Sequence, residues 1–197
     1  MMDSSRFAYF LNAVHYCIWL NDIKFGEFNE RIAHYLLDPI PKFLFTKEWR
    51  ERYYERLANS KKDREKFFYN KKRGFHIKWA NHWFGYLYSG YPGFLSFLML
   101  GLIHNHYGEI SFLIKIITII VPIGICYIPV YKAVFLNDRY LKYFKEFEKE
   151  SKEWHRRWAR ITWVFCIGAV IVSLCGIAVM LEIMIGLKNI DFPFLHR

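Results

Sequence analysis

Three long apolar stretches, at residues 86–103, 110–135 and 161–187, constrain this chain more than any other feature. An apolar helix that rises about 1.5 Å per residue needs roughly 17 to 25 residues to cross the hydrocarbon core of a bilayer. Irregular backbone cannot lie there, because its polar groups would have no hydrogen-bond partners. The sequence therefore predicts an all-α integral membrane protein with about three transmembrane helices.

The basic residues are concentrated on one side of these stretches. Of the 28 Lys and Arg residues, 16 lie in residues 1–85, eight lie in residues 137–160 and two follow residue 187. Because segments rich in Lys and Arg next to spans stay in the cytoplasm, we expect the N-terminus and the 137–160 connection to be cytoplasmic and the C-terminus to be external.

This pattern predicts five parts. They are a basic helical cytoplasmic or interfacial region (1–85), a transmembrane hairpin (86–136), a charged amphipathic cytoplasmic helix (137–160), a third transmembrane helix (161–187) and a short external tail (188–197). Within the first part, two prolines at 38–41 cannot continue a helix. The apolar run 7–20 is too short to span, so we interpret it as an interfacial or buried helix, with a short fourth membrane element as the alternative.

An apolar stripe runs along the 137–160 connection at alternating intervals of four and three residues. Its members are Tyr140, Phe144, Phe147, Ser151, Trp154, Trp158 and Ile161. The stripe fits either a helix lying in the membrane interface, with its tryptophans at headgroup depth, or a helix packed on residues 1–85 or on another subunit. We expect a break near residues 150–152, where the chain must turn between spans.

Charged side chains inside spans are the first place to look for function in a membrane protein. Lys115 lies five residues from the outer start of the second span, and Glu182 lies five residues from the outer end of the third. The predicted topology places both at about the same depth. We therefore predict an ion pair between them, which would lower the cost of burying either charge.

The second span contains Pro122, Gly124 and Pro129. Each proline removes one backbone hydrogen bond and presses on the preceding turn, so the helix should bend. Two interpretations remain open. The bend is either a hinge or gate, or a feature that membrane helices simply tolerate.

The third span carries the small residues Gly168, Ala169, Ser173 and Gly176. Small side chains let helix backbones approach closely in a membrane. We expect close helix packing on this face, and we expect the protein to form a homo-oligomer.

A net charge of +10 requires a negatively charged surface or partner. We predict that two basic clusters contact anionic lipid headgroups or a cytoplasmic protein partner. They comprise Lys61, Lys62, Arg64, Lys71, Lys72, Arg73, Arg156, Arg157 and Arg160. Nucleic acid is a weaker alternative, since the interleaved aromatic residues are explained equally well by the membrane interface.

The sequence contains no motif for a reaction. A phosphate-binding glycine loop, a nucleophile elbow and an HExxH zinc motif are all absent. His104, His106 and Glu109 in the outer loop have metal-binding chemistry but lack a defined further ligand. We therefore expect no enzyme activity, no cofactor and no metal site.

Residues 71–160 combine a basic amphipathic segment, a membrane hairpin and a long charged helix. In this architecture the chain resembles small membrane proteins of bacterial conflict systems, namely SLATT-type effectors and the membrane accessory proteins of type VI CRISPR loci. The resemblance implies an oligomeric, pore-forming or membrane-perturbing effector or accessory of a defence system in a bacterial inner membrane. The alternative is a non-conducting scaffold or accessory subunit that recruits a partner protein through its cytoplasmic helices.

Overall fold

A computed structural model describes the backbone of residues 4–37 and 46–186, without the side chains at positions 4, 5, 34, 37, 58 and 61–66. Over these residues the chain is all-helical. The helices are α1 (Ser4–Leu37), α2 (Lys47–Tyr69), α3 (Phe75–Tyr107), α4 (Phe112–Val134), α5 (Arg139–Phe147) and α6 (Lys152–Gly186), with a 3₁₀ turn at Leu136–Asp138. The predicted break at 38–41 and the predicted tail at 188–197 lie outside the described residues.

Three of these helices are long and apolar enough to cross a membrane: α3, α4 with the short segments that follow it, and α6. The prediction of an all-helical chain with three such helices is confirmed. Two of the helices extend well beyond their apolar stretches, because α3 has 33 residues and α6 has 35. No helix ends at residue 85 or at residue 160, since Gly85 lies inside a continuous α3 and no proline stops the backbone at either position.

Helix α3 lies at the centre of the bundle that these three helices form. It packs most extensively against α6 and next against α4, whereas α4 and α6 make almost no contact with each other. Helices α3 and α6 run parallel, since Tyr91 donates a hydrogen bond to the carbonyl of Phe165 at 2.8 Å and Gly101 lies against Met180. Helix α4 runs antiparallel to α3.

Helix α1 lies in a cup formed by the ends of α3, α4, α5 and α6. All nine residues from Leu11 to Trp19 are buried, so the 7–20 run is the buried part of a longer helix, α1, and this is one of the two forms expected for it. Tyr140, Phe144 and Phe147 are also buried. The Trp154 indole donates a hydrogen bond to the Tyr9 hydroxyl at 3.0 Å. The apolar stripe therefore packs on residues 1–85 within the same chain.

The predicted amphipathic helix over residues 137–160 is interrupted at two places, and only the second interruption was expected. Asn137 (φ 57°) and Asp138 (φ 53°) are both in the left-handed region, where Asn and Asp are among the few residues that fit readily. This turn folds the short α5 back against α1. A second turn follows Phe147, and α6 begins at Lys152, which confirms the predicted break near 150–152. Two turns are needed because one straight helix would not bring the apolar stripe onto α1.

Candidate docking groove

A groove of about 950 Å³ lies where α1 continues past the buried core. It is bounded by the second half of α1, the end of α2 and the start of α3, and we call it the acidic groove. Its lining consists of Asp22, Phe25, Gly26, Glu27, Asn29, Glu30, Phe68, Tyr69, Phe75, His76 and Trp79.

Helix α1 forms the acidic wall. Asp22, Gly26 and Glu30 recur every four residues, which places them on one face of the helix. His76 of α3 reaches this face, with its Nδ1 2.6 Å from Oδ2 of Asp22. A Cβ atom at Gly26 would lie only 2.6 Å from Cε1 of His76. The glycine therefore makes room for the histidine ring that joins α1 to α3.

Aromatic rings form the opposite wall. Phe68 lies edge-on to Phe75 with ring centroids 5.6 Å apart, and Phe75 stacks on Trp79 at 6.2 Å. Trp79 in turn contacts Trp83, and these two indoles remain 45% and 47% exposed. The aromatic wall thus leads along α3 from the groove to the apolar stretch that begins at residue 86.

The groove is acidic within a basic protein. Three carboxylates line it and no Lys or Arg among the described side chains does, although the chain has a net charge of +10. Asp22 is paired with His76. Glu27 and Glu30 are exposed and form no ion pair with any described residue. The groove can therefore bind a ligand that has both a cationic group and an apolar surface. The two negative charges attract the cationic group, and the exposed rings contact aromatic or aliphatic groups.

The structure does not bring Lys115 and Glu182 together. Both side chains are exposed, and no ion pair joins them among the described residues. Lys115 is on α4 and Glu182 is on α6, two helices that both pack against α3 and scarcely touch each other. Equal predicted depth did not imply contact, because depth says nothing about the direction in which a residue faces around the bundle.

The predicted basic contacts divide into three groups. Lys71 pairs with Glu148, and Lys72 Nζ lies 2.7 Å from Asp138 Oδ2, so both lysines hold the α2–α3 link against the ends of α5. Arg73 and Arg156 are exposed, and Arg157 and Arg160 line a second groove of about 700 Å³. The side chains of Lys61, Lys62 and Arg64 lie outside the described residues.

The two prolines lie inside a continuous α4. Each is opposite a hydroxyl group of α3. Ser96 donates to the carbonyl of Ile119, three residues before Pro122, at 2.9 Å, and Tyr88 donates to the carbonyl of Cys126, three residues before Pro129, at 3.3 Å. Gly124 has open space around it. These hydroxyl groups bond to carbonyls in the two turns that the prolines weaken. This favours the interpretation that the prolines are tolerated in the helix over the interpretation that they form a hinge.

The small residues of the third span mediate packing within the chain. Ala169 is buried, and the Ser173 hydroxyl lies 3.3 Å from the carbonyl of Gly90. Gly176 lies against Phe94, and Gly168 lies beside the hydroxyl of Tyr91. In the structure this face packs closely against α3 of the same chain.

The sequence carries one signal for the acidic groove, the four-residue spacing of Asp22, Gly26 and Glu30. The histidine and the aromatic residues of the opposite wall come from residues 68–79, well separated along the chain. These two sets of residues come together only because α3 crosses α1. The spacing of residues within one helix does not predict that crossing. No group of three or more metal-ligating side chains occurs in the described parts of the chain, and His104, His106 and Glu109 form none.

Fold and groove together define the class of this protein. It is an all-helical protein with three helices apolar enough to cross a membrane and with an aromatic-rich helical module at one end. Comparison with family models, with characterised proteins and with solved structures finds no match for the chain.

Proposed function

We propose that the protein is a non-enzymatic membrane scaffold, an accessory subunit that recruits a partner protein through the acidic groove. The occupant is an amphipathic helix with basic residues beside its apolar face. One observation carries this proposal. Glu27 and Glu30 are exposed and form no ion pair with a described residue, and they share one groove with three exposed rings, those of Phe25, Phe75 and Trp79. An apolar helix face that inserts into an aromatic groove is a common mode of peptide recognition.

The charge of the groove favours a protein over a lipid as occupant. Anionic headgroups would be repelled by Glu27 and Glu30, whereas Lys and Arg on a partner helix would be attracted. The groove also adjoins the tryptophan-bearing start of α3. A partner helix at the membrane surface would therefore meet the groove without leaving the interface.

The outward faces of the spans support a scaffold more than a pore. The exposed residues of α4 and α6 within the apolar stretches are mostly Ile, Leu, Val and aromatic residues. The charged exceptions, Lys115, Lys132 and Glu182, are scattered and form no continuous polar stripe. A face that lines an aqueous path in an oligomer needs such a stripe.

We expect the acidic groove to be cytoplasmic. The basic segment before the first span and the basic segment between the second and third spans lie at the same end of the bundle as α1, and such segments stay in the cytoplasm. Reporter fusions after residue 150 and residue 197 test this orientation. The resemblance to membrane proteins of conflict systems adds the hypothesis that the partner belongs to a bacterial defence system.

Titration with designed peptides tests the docking proposal. The purified chain in lipid nanodiscs is mixed with one of two amphipathic helices that share an apolar face and differ in carrying Lys or Glu on the polar face. We expect the Lys peptide to bind. The double variant Glu27→Lys/Glu30→Lys should weaken that binding at least tenfold and should gain affinity for the Glu peptide.

The control variant reverses two exposed carboxylates on α2 that are outside the groove, Glu48→Lys/Glu51→Lys, and should leave binding of the Lys peptide within about twofold. Equal losses in the two double variants would mean that net charge, not the groove, attracts the peptide. Leakage of ions from vesicles reconstituted with the protein alone would contradict the scaffold and favour the pore.

A further inference from the structure

The second groove, of about 700 Å³, lies on the other side of α1, between α1, α3 and α6. Its lining residues are Phe10, Tyr91, Arg157, Arg160, Ile161, Val164, Phe165 and Gly168. We call it the basic groove. Both of its charged lining residues are arginines, and the remaining lining residues are apolar or aromatic.

Charge and apolar surface are ordered along one helix face. Arg157, Arg160 and Val164 follow each other at intervals of three and four residues, and Gly168 continues the row. The apolar stretch of α6 starts at residue 161. The groove therefore has two guanidinium groups where the helix enters its apolar stretch and an apolar floor along that stretch.

Specific contacts fix the shape of the apolar floor. The Tyr91 hydroxyl donates to the carbonyl of Phe165 at 2.8 Å, which fixes the ring across the groove. A Cβ atom at Gly168 would lie 3.0 Å from that hydroxyl. Val164 is 72% exposed. The apolar half of the groove is thus a defined surface that is open to the surroundings of the spans.

We propose that the basic groove binds one anionic glycerophospholipid, with its phosphate between Arg157 and Arg160 and an acyl chain along Val164, Phe165 and Gly168. Neither arginine forms an ion pair with a described residue. Arginine presents planar donors that match phosphate oxygens in pairs. The acyl chain distinguishes this ligand from a free phosphate, because a free phosphate would leave the apolar lining unused.

The bound lipid would also hold α1 in place. Phe10 of α1 forms one wall of the groove, with its ring centroid 6.2 Å from Phe165 and 5.9 Å from Trp158. A ligand that contacts α1 and α6 together binds the folded arrangement and not a state in which α1 has left. Binding therefore stabilises the buried core by linkage.

Lipid titration of the purified full chain tests the proposal. The protein in a neutral detergent is titrated with phosphatidylglycerol, with phosphatidylcholine of the same acyl chains, or with inorganic phosphate, and bound lipid is counted by native mass spectrometry alongside thermal unfolding. We expect one tightly bound phosphatidylglycerol and a rise in unfolding temperature. Phosphatidylcholine should have a much smaller effect, and inorganic phosphate should have none.

Matched variants locate the site. Arg157→Gln/Arg160→Gln should weaken phosphatidylglycerol binding about thirtyfold, because each arginine near an anionic surface contributes roughly fivefold. Lys152→Gln/Arg156→Gln removes the same charge from exposed positions outside the lining and should change binding by less than about threefold. Val164→Trp, which fills the apolar half, should weaken binding with both arginines intact, whereas Val170→Trp on the exposed face should not.

Three results would overturn the proposal: equal effects of the two double charge variants, equal responses to phosphatidylglycerol and phosphatidylcholine, or stabilisation by inorganic phosphate at comparable concentration. The first result would indicate a diffuse charge effect. The second would indicate a site that does not require an anionic headgroup. The third would indicate a simple anion site.

Discussion

The imidazole Nε2 of His15 lies 2.8 Å from the side-chain oxygen of Asn81, deep inside the cup that holds α1. The other ring nitrogen, Nδ1, has no hydrogen-bond partner among the described residues. Four aromatic rings surround the imidazole with centroids 5.2 to 5.5 Å away: Phe84, Phe135, Tyr140 and Phe144. A second proton on Nδ1 would point into this apolar surround, so the histidine is neutral in the folded protein.

Acid should therefore destabilise the contact between α1 and the bundle. Burial lowers the pKa of His15 from 6.5 to about 4, against a smaller raising effect of the Asn81 hydrogen bond. The unfolded state binds the proton first, so the stability is complete above about pH 6.5 and is lost as the pH falls toward 4. We expect a loss of about 2 kcal/mol between pH 7 and pH 5 from this group.

Thermal unfolding in detergent at a series of pH values measures this slope. His15→Gln should flatten the curve between pH 7 and pH 5 whatever its effect at neutral pH, and His106→Gln, which alters an exposed histidine, should leave the slope unchanged. An equally steep curve for His15→Gln would assign the acid sensitivity to other groups.

Two glycines in the membrane helices should respond to alanine with opposite signs. A Cβ atom at Gly90 would lie 2.7 Å from the Ser173 hydroxyl oxygen and 2.8 Å from the carbonyl oxygen of Ala169. At Gly124 nothing beyond the adjoining backbone of its own helix lies within 4 Å of the same position. Gly90→Ala should therefore cost about 1 to 3 kcal/mol, because backbone atoms of α6 would have to move.

Gly124→Ala should instead stabilise the protein by about 0.5 to 1 kcal/mol, since alanine loses less conformational freedom than glycine in a helix. Unfolding by a graded series of detergent denaturants compares both variants with the native chain. A stabilised Gly90→Ala would show that α3 and α6 are not packed as closely as the structure has them.

The sequence predicted the elements of this fold better than their arrangement. Long apolar stretches and the four-three spacing of the stripe from Tyr140 to Ile161 are local properties, and they correctly gave three membrane-length helices and an amphipathic segment. The reversal at Asn137 and Asp138 was missed, although both residue types favour turns and helix ends over helix interiors. Its cause is long-range: the apolar face of α5 is buried only by folding back on α1.

The sites illustrate the same limit. Charges predicted to meet because of equal depth, Lys115 and Glu182, are on helices separated by their common neighbour α3. Arg157 and Arg160 were identified as lipid or partner contacts from charge alone, but the groove beside them depends on Gly168 and on Phe10 from the other end of the chain. Residue type was enough to predict that the two arginines bind a negatively charged group. The groove beside them depends on how the helices pack, which residue type does not show.

The hydroxyl of Ser96 should be coupled energetically to Pro122. The hydroxyl donates to the carbonyl of Ile119 at 2.9 Å, in the turn where the proline removes a backbone bond. Ser96→Ala should cost about 1 kcal/mol in the native chain and less than half as much in a Pro122→Ala background. There the backbone N–H at 122 bonds to the Thr118 carbonyl again, which straightens this turn and strengthens the neighbouring backbone bond to the Ile119 carbonyl. A double-mutant cycle of unfolding free energies measures the coupling, and equal costs in both backgrounds would remove the supporting role of Ser96.

Substitutions at Lys115 and Glu182 should act independently. Each side chain is exposed on a different helix, so removing one charge leaves no buried partner behind. Lys115→Met and Glu182→Gln should each change the unfolding free energy by less than about 1 kcal/mol, and the double variant should equal their sum within about 0.5 kcal/mol. Coupling of several kcal/mol is the signature of a broken buried pair. If the double variant showed such coupling, the two charges would have to meet between neighbouring copies of the chain, and measurement of the oligomeric state in the same detergent would then identify that contact.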